Sequence, residues 1–231
     1  MKPTLPLVLA VNGGYVDTAG FLALQGLFTA HVTGNFVTLG ASLVFGSGGV
    51  VAKLVALPVF CVVVGLVRLL GNALAARKFS ALRVLLWVKL ALLIVGFGLA
   101  LRFGPFADGN AWPALVTGMT LVAAMAVQNG IQRIHLPGAP PSTLMTGNTT
   151  QVVIDVVDLL RGVRDAADAA TTRGRLARMS ASIACFAGGC AAAAFLLYFA
   201  GMWCFAAPPL IALGAVLVRA ESPALAGRSR A

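Results

Sequence analysis

The chain contains LFTAHVTGN at residues 27–35 and PPSTLMTGN at residues 140–148. Both stretches end in the tripeptide Thr-Gly-Asn, and each lies at a corresponding place in its half of the chain. Upstream, AVNG at residues 10–13 resembles VQNG at residues 127–130. Polar inserts in corresponding positions of two hydrophobic halves are typical of the binding sites of duplicated transporters. The sequence therefore predicts an internal duplication with function near the two tripeptides.

The composition around these inserts is that of an integral membrane protein. The 231 residues are 59% hydrophobic and only 10% charged, with a mean hydropathy of +0.94. Apolar stretches long enough to cross a bilayer as helices lie at about 5–27, 54–76, 82–103, 112–132, 179–200 and 202–218. We predict an all-α protein with six transmembrane helices, because these runs do not alternate as the strands of a barrel do.

The basic residues predict the orientation of the helices. Lys and Arg accumulate in short cytoplasmic loops, and placing both termini in the cytoplasm puts thirteen of the seventeen on that side. They are Lys2, Arg77, Lys78, Arg83, Arg133, Arg161, Arg164, Arg173, Arg175, Arg178, Arg219, Arg228 and Arg230. The net charge of +10 is thus read as a topology signal, and we expect no nucleic-acid partner.

Six helices divide into three per half, so the second half enters the membrane from the opposite face. We expect one membrane domain over residues 1–231, built from inverted repeats at about 1–105 and 106–220 and followed by a short cytoplasmic tail at 220–231. The hydrophilic segment Arg161–Arg178 is predicted to be a solvated cytoplasmic loop or a contact for anionic lipid.

A short apolar stretch follows each tripeptide, at residues 36–45 and 149–160. Ten to twelve helical residues cover about 15–18 Å, roughly half of a hydrocarbon core. We therefore predict that each tripeptide starts a half-helix and faces the protein interior, with the threonine as N-cap. The two half-helices would approach from opposite faces, the first from outside and the second from the cytoplasm.

These considerations predict a substrate site near the bilayer midplane. Its predicted members are Asp17, His31, Thr33, Gly34, Asn35, Asn129, Arg133, Thr146, Gly147 and Asn148. The alternative for the tripeptides is a structural one, in which the glycines let helices touch and the polar side chains tie them together.

Two charged residues carry a more specific expectation. An acidic residue within a spanning segment marks a functional site by default, and Asp17 is the one such residue here. It would either couple charge to transport or pair with Arg133 across the two halves. His31 would relay protons or form a simple hydrogen bond.

Several motifs together resemble a known family. The stretches GYVD at 14–17, GF at 20–21, residues 29–35, QN at 128–129 and MTGNTTQ at 145–151 are similar to the signatures of the YoaK-like bacterial inner-membrane proteins. This is a domain of unknown function (1275), so the resemblance implies a six-helix protein of the bacterial inner membrane and no established substrate.

The functional prediction is a small transporter or channel for a small polar or anionic solute. The alternative is a non-transporting membrane scaffold or sensor whose polar core is structural. No catalytic motif is found, so we expect no enzyme, and we expect no metal or cofactor. Besides the lipid bilayer, a second copy of the chain is an expected partner through the Gly188-Gly189 face.

Overall fold

A computed structural model describes residues 4–46, 48–162 and 165–221. This part of the chain is helical, with no strand, which confirms the all-α prediction. The α-helices are α1 Leu5–Ala23, α2 Asn35–Phe45, α3 Val50–Ala76, α4 Ala81–Phe103, α5 Trp112–His135, α6 Met145–Arg161, α7 Ala166–Ala200 and α8 Ala207–Glu221. Lys2, Arg164, Arg228, Arg230 and most of the predicted tail lie outside the described residues.

Within the described residues, five regions are long and apolar enough to cross a membrane. They are α1, α3, α4, α5 and the region Ala167–Val218, which covers most of α7 and α8. The last region has 52 residues and contains a break at Gly201, whose φ is 55°. The two predicted segments at 179–200 and 202–218 both lie inside it. The structure therefore supports a protein with several membrane-spanning helices.

The first helix ends four residues before its predicted end, at Ala23 instead of residue 27. Gln25 and Gly26 follow with φ values of 56° and 79°, a left-handed turn that no α-helix continues. The amide N–H of Gly26 donates to the carbonyl of Phe21 within this turn. As a result, the chain reverses here instead of extending the helix.

The segment Arg161–Arg178 is largely helical instead of the predicted loop, although none of its described residues is buried. Helix α7 begins at Ala166, and the side chain of Asp165 accepts a hydrogen bond from the amide of Ala167 as its N-cap. Residues 166–178 are rich in Ala and Arg, which favour helix even where hydropathy is too low to indicate a membrane span. This polar extension of α7 packs beside α6.

The helices pack in matched pairs across the two halves of the chain. Helix α1 lies along α7, and its counterpart α5 lies along α3. Likewise α1 contacts α8 as α5 contacts α4, and α6 contacts α7 as α2 contacts α3. If α1 to α4 are matched in order with α5 to α8, each of these contacts corresponds to the contact named beside it.

Small residues bring α1 and α7 into close contact. A Cβ on Gly14 would lie 2.1 Å from the carbonyl oxygen of Phe186, and one on Gly189 would lie 2.2 Å from that of Val11. Such backbone contact is common between membrane helices. Gly189 therefore packs within the chain, while a Cβ on Gly188 would meet nothing within 4 Å.

Candidate functional site

The carboxylate of Asp17 binds the loop that follows α1. Its Oδ1 accepts hydrogen bonds from the backbone amides of Thr29 at 2.8 Å and Ala30 at 2.7 Å, and a longer one from His31 at 3.3 Å. Its Oδ2 lies 2.6 Å from Nδ1 of His31. Asp17 is buried, so a desolvated carboxylate is satisfied here by backbone donors and one imidazole.

Aromatic rings surround the imidazole of His31. The ring of Phe186 on α7 lies edge-on at 5.6 Å between centroids, and that of Phe28 lies at 6.3 Å. The side chain is nevertheless 31% exposed. Asp17 and His31 thus form one cluster between α1, the loop and α7.

These hydrogen bonds show that the loop runs back along α1. Asp17 lies six residues before the end of α1, a distance of about 9 Å at 1.5 Å per residue. Residues 24–31, which we call the first loop, therefore descend beside the helix before α2 begins. Helix α2 then covers about 16 Å in its 11 residues.

The second half repeats this arrangement after α5. Residues 136–144, the second loop, return to the level of Gln128 and Asn129, where Thr143 Oγ1 donates to Asn129 Oδ1 at 2.9 Å and Gln128 Nε2 donates to Ser142 Oγ at 3.0 Å. Asn129 lies six residues before the end of α5, again about 9 Å. The two loops thus descend to the same depth beside their helices.

The asparagine of each tripeptide binds the backbone of its loop, Asn35 through two hydrogen bonds and Asn148 through one. Asn35 Nδ2 donates to the carbonyl of Phe28 at 2.8 Å, and its Oδ1 accepts from the amide of the same residue at 2.8 Å. Asn148 Nδ2 donates to the carbonyl of Pro141 at 3.0 Å. Each partner lies seven residues before its asparagine, and both asparagines are buried. Their observed role is to fix the loops.

The other members of the tripeptides are placed differently from the prediction. Thr33, Thr146 and Gly147 are exposed on the surface of the chain instead of facing its interior. Neither threonine is an N-cap, because α2 is preceded by Gly34 and α6 by Leu144, and no side chain caps either helix. Gly34 has an ordinary helical φ of −63° and leaves room for the Phe28 ring, which a Cβ would approach to 3.0 Å.

A buried lysine joins the second loop to the neighbouring helices. Lys89 on α4 is 1% exposed, and its Nζ donates to Gln128 Oε1 at 2.6 Å. The amide nitrogen of Gln128 also donates to the carbonyl of Leu9 at 2.8 Å. The predicted site did not include Lys89, although a lysine inside an apolar run was a sufficient sign of it.

A cavity of about 410 Å³ opens beside the second loop. It is bounded by the end of α5, the loop and the first part of α7, and its polar and charged lining residues are Asn129, Gln132, Arg133, Thr143, Arg175 and Arg178. Arg133 lines this cavity and does not contact Asp17, since the two salt bridges of the described residues join Asp17 to His31 and Asp155 to Arg175. The proposed Asp17–Arg133 pair is therefore not formed.

Below the cavity, Asp155 on α6 is held by Arg175 on α7. Nε of Arg175 donates to Oδ2 of Asp155 at 2.9 Å, and Nη2 donates to Oδ1, so that the pair is bidentate. The hydrogen bonds from Arg175 lower the pKa of Asp155 below its ordinary value, against the opposing effect of burial. This pair fixes α6 to the polar extension of α7.

Of the ten predicted site residues, the structure brings together Asp17 with His31, and Asn129 with Arg133. Asn35 binds the backbone of the first loop and Asn148 that of the second. Thr33, Gly34, Thr146 and Gly147 do not line the cavity beside the second loop. Thr146 lines a separate open groove along α6. The site thus divides into an Asp17–His31 cluster at the first loop and an arginine-lined cavity at the second.

Comparisons with known proteins agree with the helical membrane architecture. The family described as "Protein of unknown function (DUF1275)" matches residues 5–218. The UPF0700 transmembrane protein YoaK of Bacillus subtilis (strain 168) is 28% identical over 164 residues, which is 67% of each chain. No solved structure matches. The chain belongs to the DUF1275 family of membrane proteins of unknown function.

Proposed function

We propose that this protein is a transporter or channel for a small polar solute in the bacterial inner membrane. In this proposal six helices cross the bilayer, α1, α3, α4, α5, α7 and α8, and the two halves are inverted repeats. The matched packing of α1 on α7 and α5 on α3 supports the duplication. The equal seven-residue spacing of the Asn35 and Asn148 contacts supports it independently.

The two loops would then be re-entrant segments that enter from opposite faces. Both termini would lie in the cytoplasm, so α1 ends outside and the first loop descends from the outer face. Helix α5 ends in the cytoplasm, and the second loop ascends from there. Non-helical backbone at membrane depth is tolerated where protein or water surrounds it, which agrees with the buried hydrogen bonds of both loops.

The observation that carries the functional proposal is the cavity beside the second loop. At about 410 Å³ it has the volume of a small-molecule site. It combines a re-entrant backbone with amide and guanidinium side chains, and polar or ionisable groups at membrane depth mark solute pathways. We assign it as the cytoplasmic vestibule of the pathway.

In this proposal the Asp17–His31 cluster closes the pathway at its outer end. Three backbone donors and the imidazole all bind one carboxylate, so the first loop is fastened to α1. Opening the outer side requires these bonds to be exchanged for bonds to water or solute. The structure in this proposal is therefore the inward-facing state.

A second function, that of a scaffold or sensor, is favoured by the tripeptides themselves. Asn35 and Asn148 bind backbone within their own loops, and the threonines face outward. Such contacts stabilise helix packing without a solute. The polar extension of α7 would then carry the signal to a cytoplasmic partner.

Flux into proteoliposomes separates the two functions. The native chain is reconstituted and the uptake of radiolabelled lactate, phosphate, alanine and glycerol is measured. Gly138→Trp places a large ring in the vestibule, where a Cβ on Gly138 would have nothing within 4 Å. The proposal predicts uptake of at least one solute by the native chain and loss of that uptake in Gly138→Trp.

Gly40→Trp is the matched control, because Gly40 lies on the exposed face of α2 and also has open space around it. It is expected to keep the native flux. Equal flux in both variants would remove the vestibule from the pathway. No flux of any of the four solutes would favour the scaffold function.

A further inference from the structure

We propose that the cavity beside the second loop is an oxyanion site in which Arg133 and Arg178 bind a phosphate or carboxylate group. That the bound anion is also the transported solute rests on the proposed function. Binding itself does not require transport. The chemical class follows from the charges that line the cavity.

Three arginines line this one cavity, Arg133 at the end of α5 and Arg175 and Arg178 on α7. Among the described residues that line it, none is Asp or Glu. The charge of Arg175 is matched by its bidentate pair with Asp155. The cavity therefore holds an excess of positive charge.

That excess is carried by the other two arginines. Within the residues that the structure describes, neither Arg133 nor Arg178 forms a hydrogen bond or an ion pair. A guanidinium presents a planar fork of N–H donors that matches the oxygens of carboxylate and phosphate. Both arginines are exposed and line this cavity, and two such side chains at one cavity indicate an anionic ligand with at least two acceptor oxygens.

The helix start beside the cavity and the volume of the cavity also favour a small anion. Leu144, the residue before α6, also lines the cavity, so the positive end of the α6 dipole lies beside it. The volume of about 410 Å³ admits an anion of several heavy atoms together with water. A small organic acid or a phosphate fits this space.

An adjoining cavity of about 260 Å³ identifies two sources for the anion. The two cavities share Gly138, Ala139, Pro140 and Arg178, and the second is lined mainly by apolar atoms, including Leu7 and Ala181. An anionic lipid would place its headgroup in the first cavity and its first acyl carbons in the apolar one. A free anion would occupy the first cavity alone. The phosphate or carboxylate chemistry is common to both.

Binding is tested on the full chain in phosphatidylcholine nanodiscs. Isothermal titration calorimetry is run with inorganic phosphate and with lactate. We expect saturable binding of at least one anion, weakened tenfold or more by Arg133→Gln or Arg178→Gln. Arg173→Gln is the matched control, because Arg173 is an exposed arginine on the same helix that does not line the cavity, and its affinity should equal that of the native chain.

The lipid source is tested in nanodiscs that contain phosphatidylglycerol. If the headgroup occupies the site, phosphate affinity falls in these discs for the native chain, and co-purified phosphatidylglycerol is lost in Arg133→Gln. If the source is a free anion, affinity is the same in both kinds of disc. Each of these two outcomes supports an oxyanion site and names its source.

The inference is overturned if neither anion binds and no phosphatidylglycerol is retained, or if the Arg133→Gln/Arg178→Gln chain binds as well as the native one. Unchanged thermal unfolding of the variants shows that they are folded. Anion binding without flux would refute the transport proposal and leave this site standing. Flux of glycerol or alanine without anion binding would refute this site and leave transport standing.

Discussion

Replacing Asp17 by asparagine isolates the charge of the cluster at the first loop. The side chain keeps its size, and Oδ1 can still accept from the amides of Thr29 and Ala30. An amide in place of Oδ2 presents N–H groups to His31 Nδ1, which accepts one of them when the imidazole proton lies on Nε2. The substitution therefore converts the three short bonds of the carboxylate, with the amides of Thr29 and Ala30 and with the His31 ring, from charge-assisted to neutral ones.

The expected loss follows from the strength of these bonds. Hydrogen bonds to a charged group contribute about 1.5–3 kcal/mol and neutral ones about 0.5–1.5 kcal/mol. A difference of about 1 kcal/mol for each of three bonds gives a loss of about 3 kcal/mol. For a chain of 150–250 residues, roughly 2–4 °C per kcal/mol converts this to a fall in Tm of about 6–12 °C.

Thermal unfolding of the purified chain in detergent, followed by tryptophan fluorescence, measures this fall. Asp158→Asn is the matched control, since Asp158 is exposed on α6 and a surface substitution changes stability by about 0.5 kcal/mol or less. If Asp17→Asn unfolds at the same temperature as the control, the cluster does not hold the first loop and the reasoning fails.

Three further results are expected. In the same thermal unfolding experiment, Asn35→Ala should lower the stability of the chain by about 1 kcal/mol more than Asn148→Ala does. Asn35 makes two hydrogen bonds to the first loop, whereas Asn148 makes one to the second loop. Equal losses of stability would contradict this difference. Gly189→Ala should cause loss of folded protein in size-exclusion chromatography, while the neighbouring Gly188→Ala elutes as native, because only the first Cβ meets backbone. The native chain should have a larger free energy of unfolding than Asp155→Asn, by an amount that is constant above about pH 4, the ordinary pKa of Asp. This difference should shrink as the pH falls through the lowered pKa of Asp155 in the folded state. A difference that grows as the pH falls would contradict the ion pair.

Hydrophobicity was sufficient to predict most of the helices. The predicted segment at 82–103 agrees with α4 at Ala81–Phe103, because Ser80 precedes that apolar run and Gly104-Pro105 ends it. Where a helix has a polar part, the prediction was shorter than the helix. Helix α7 begins thirteen residues before residue 179, since helix propensity and packing on α6 determine its start.

The partners of Asp17 were not predictable from residue types. The sequence indicated a buried carboxylate and suggested Arg133, the charged residue at roughly the corresponding place in the second half. The actual donors are mostly backbone amides of the first loop, and backbone donors have no signature in a side-chain pattern. Only the turn at Gln25 and Gly26 brings them to α1.

The tripeptides indicated buried polar residues without defining their contacts. Both asparagines are buried, and each binds the backbone of its own loop. The exposure of Thr33 and Thr146 depends on how α2 and α6 are rotated about their axes. Each asparagine points toward the residue seven positions before it, and this contact depends on the path of the preceding loop.

Labelling from each side of the membrane shows whether the two loops enter from opposite faces. The four cysteines, Cys61, Cys185, Cys190 and Cys204, are replaced by alanine, and single cysteines are introduced at Gly48, between α2 and α3, or at Gly138 in the second loop. Right-side-out and inside-out vesicles are then treated with a membrane-impermeant maleimide. We predict that Gly48→Cys reacts only from the outside and Gly138→Cys only from the cytoplasmic side, whereas reaction of both from the same side would contradict the account.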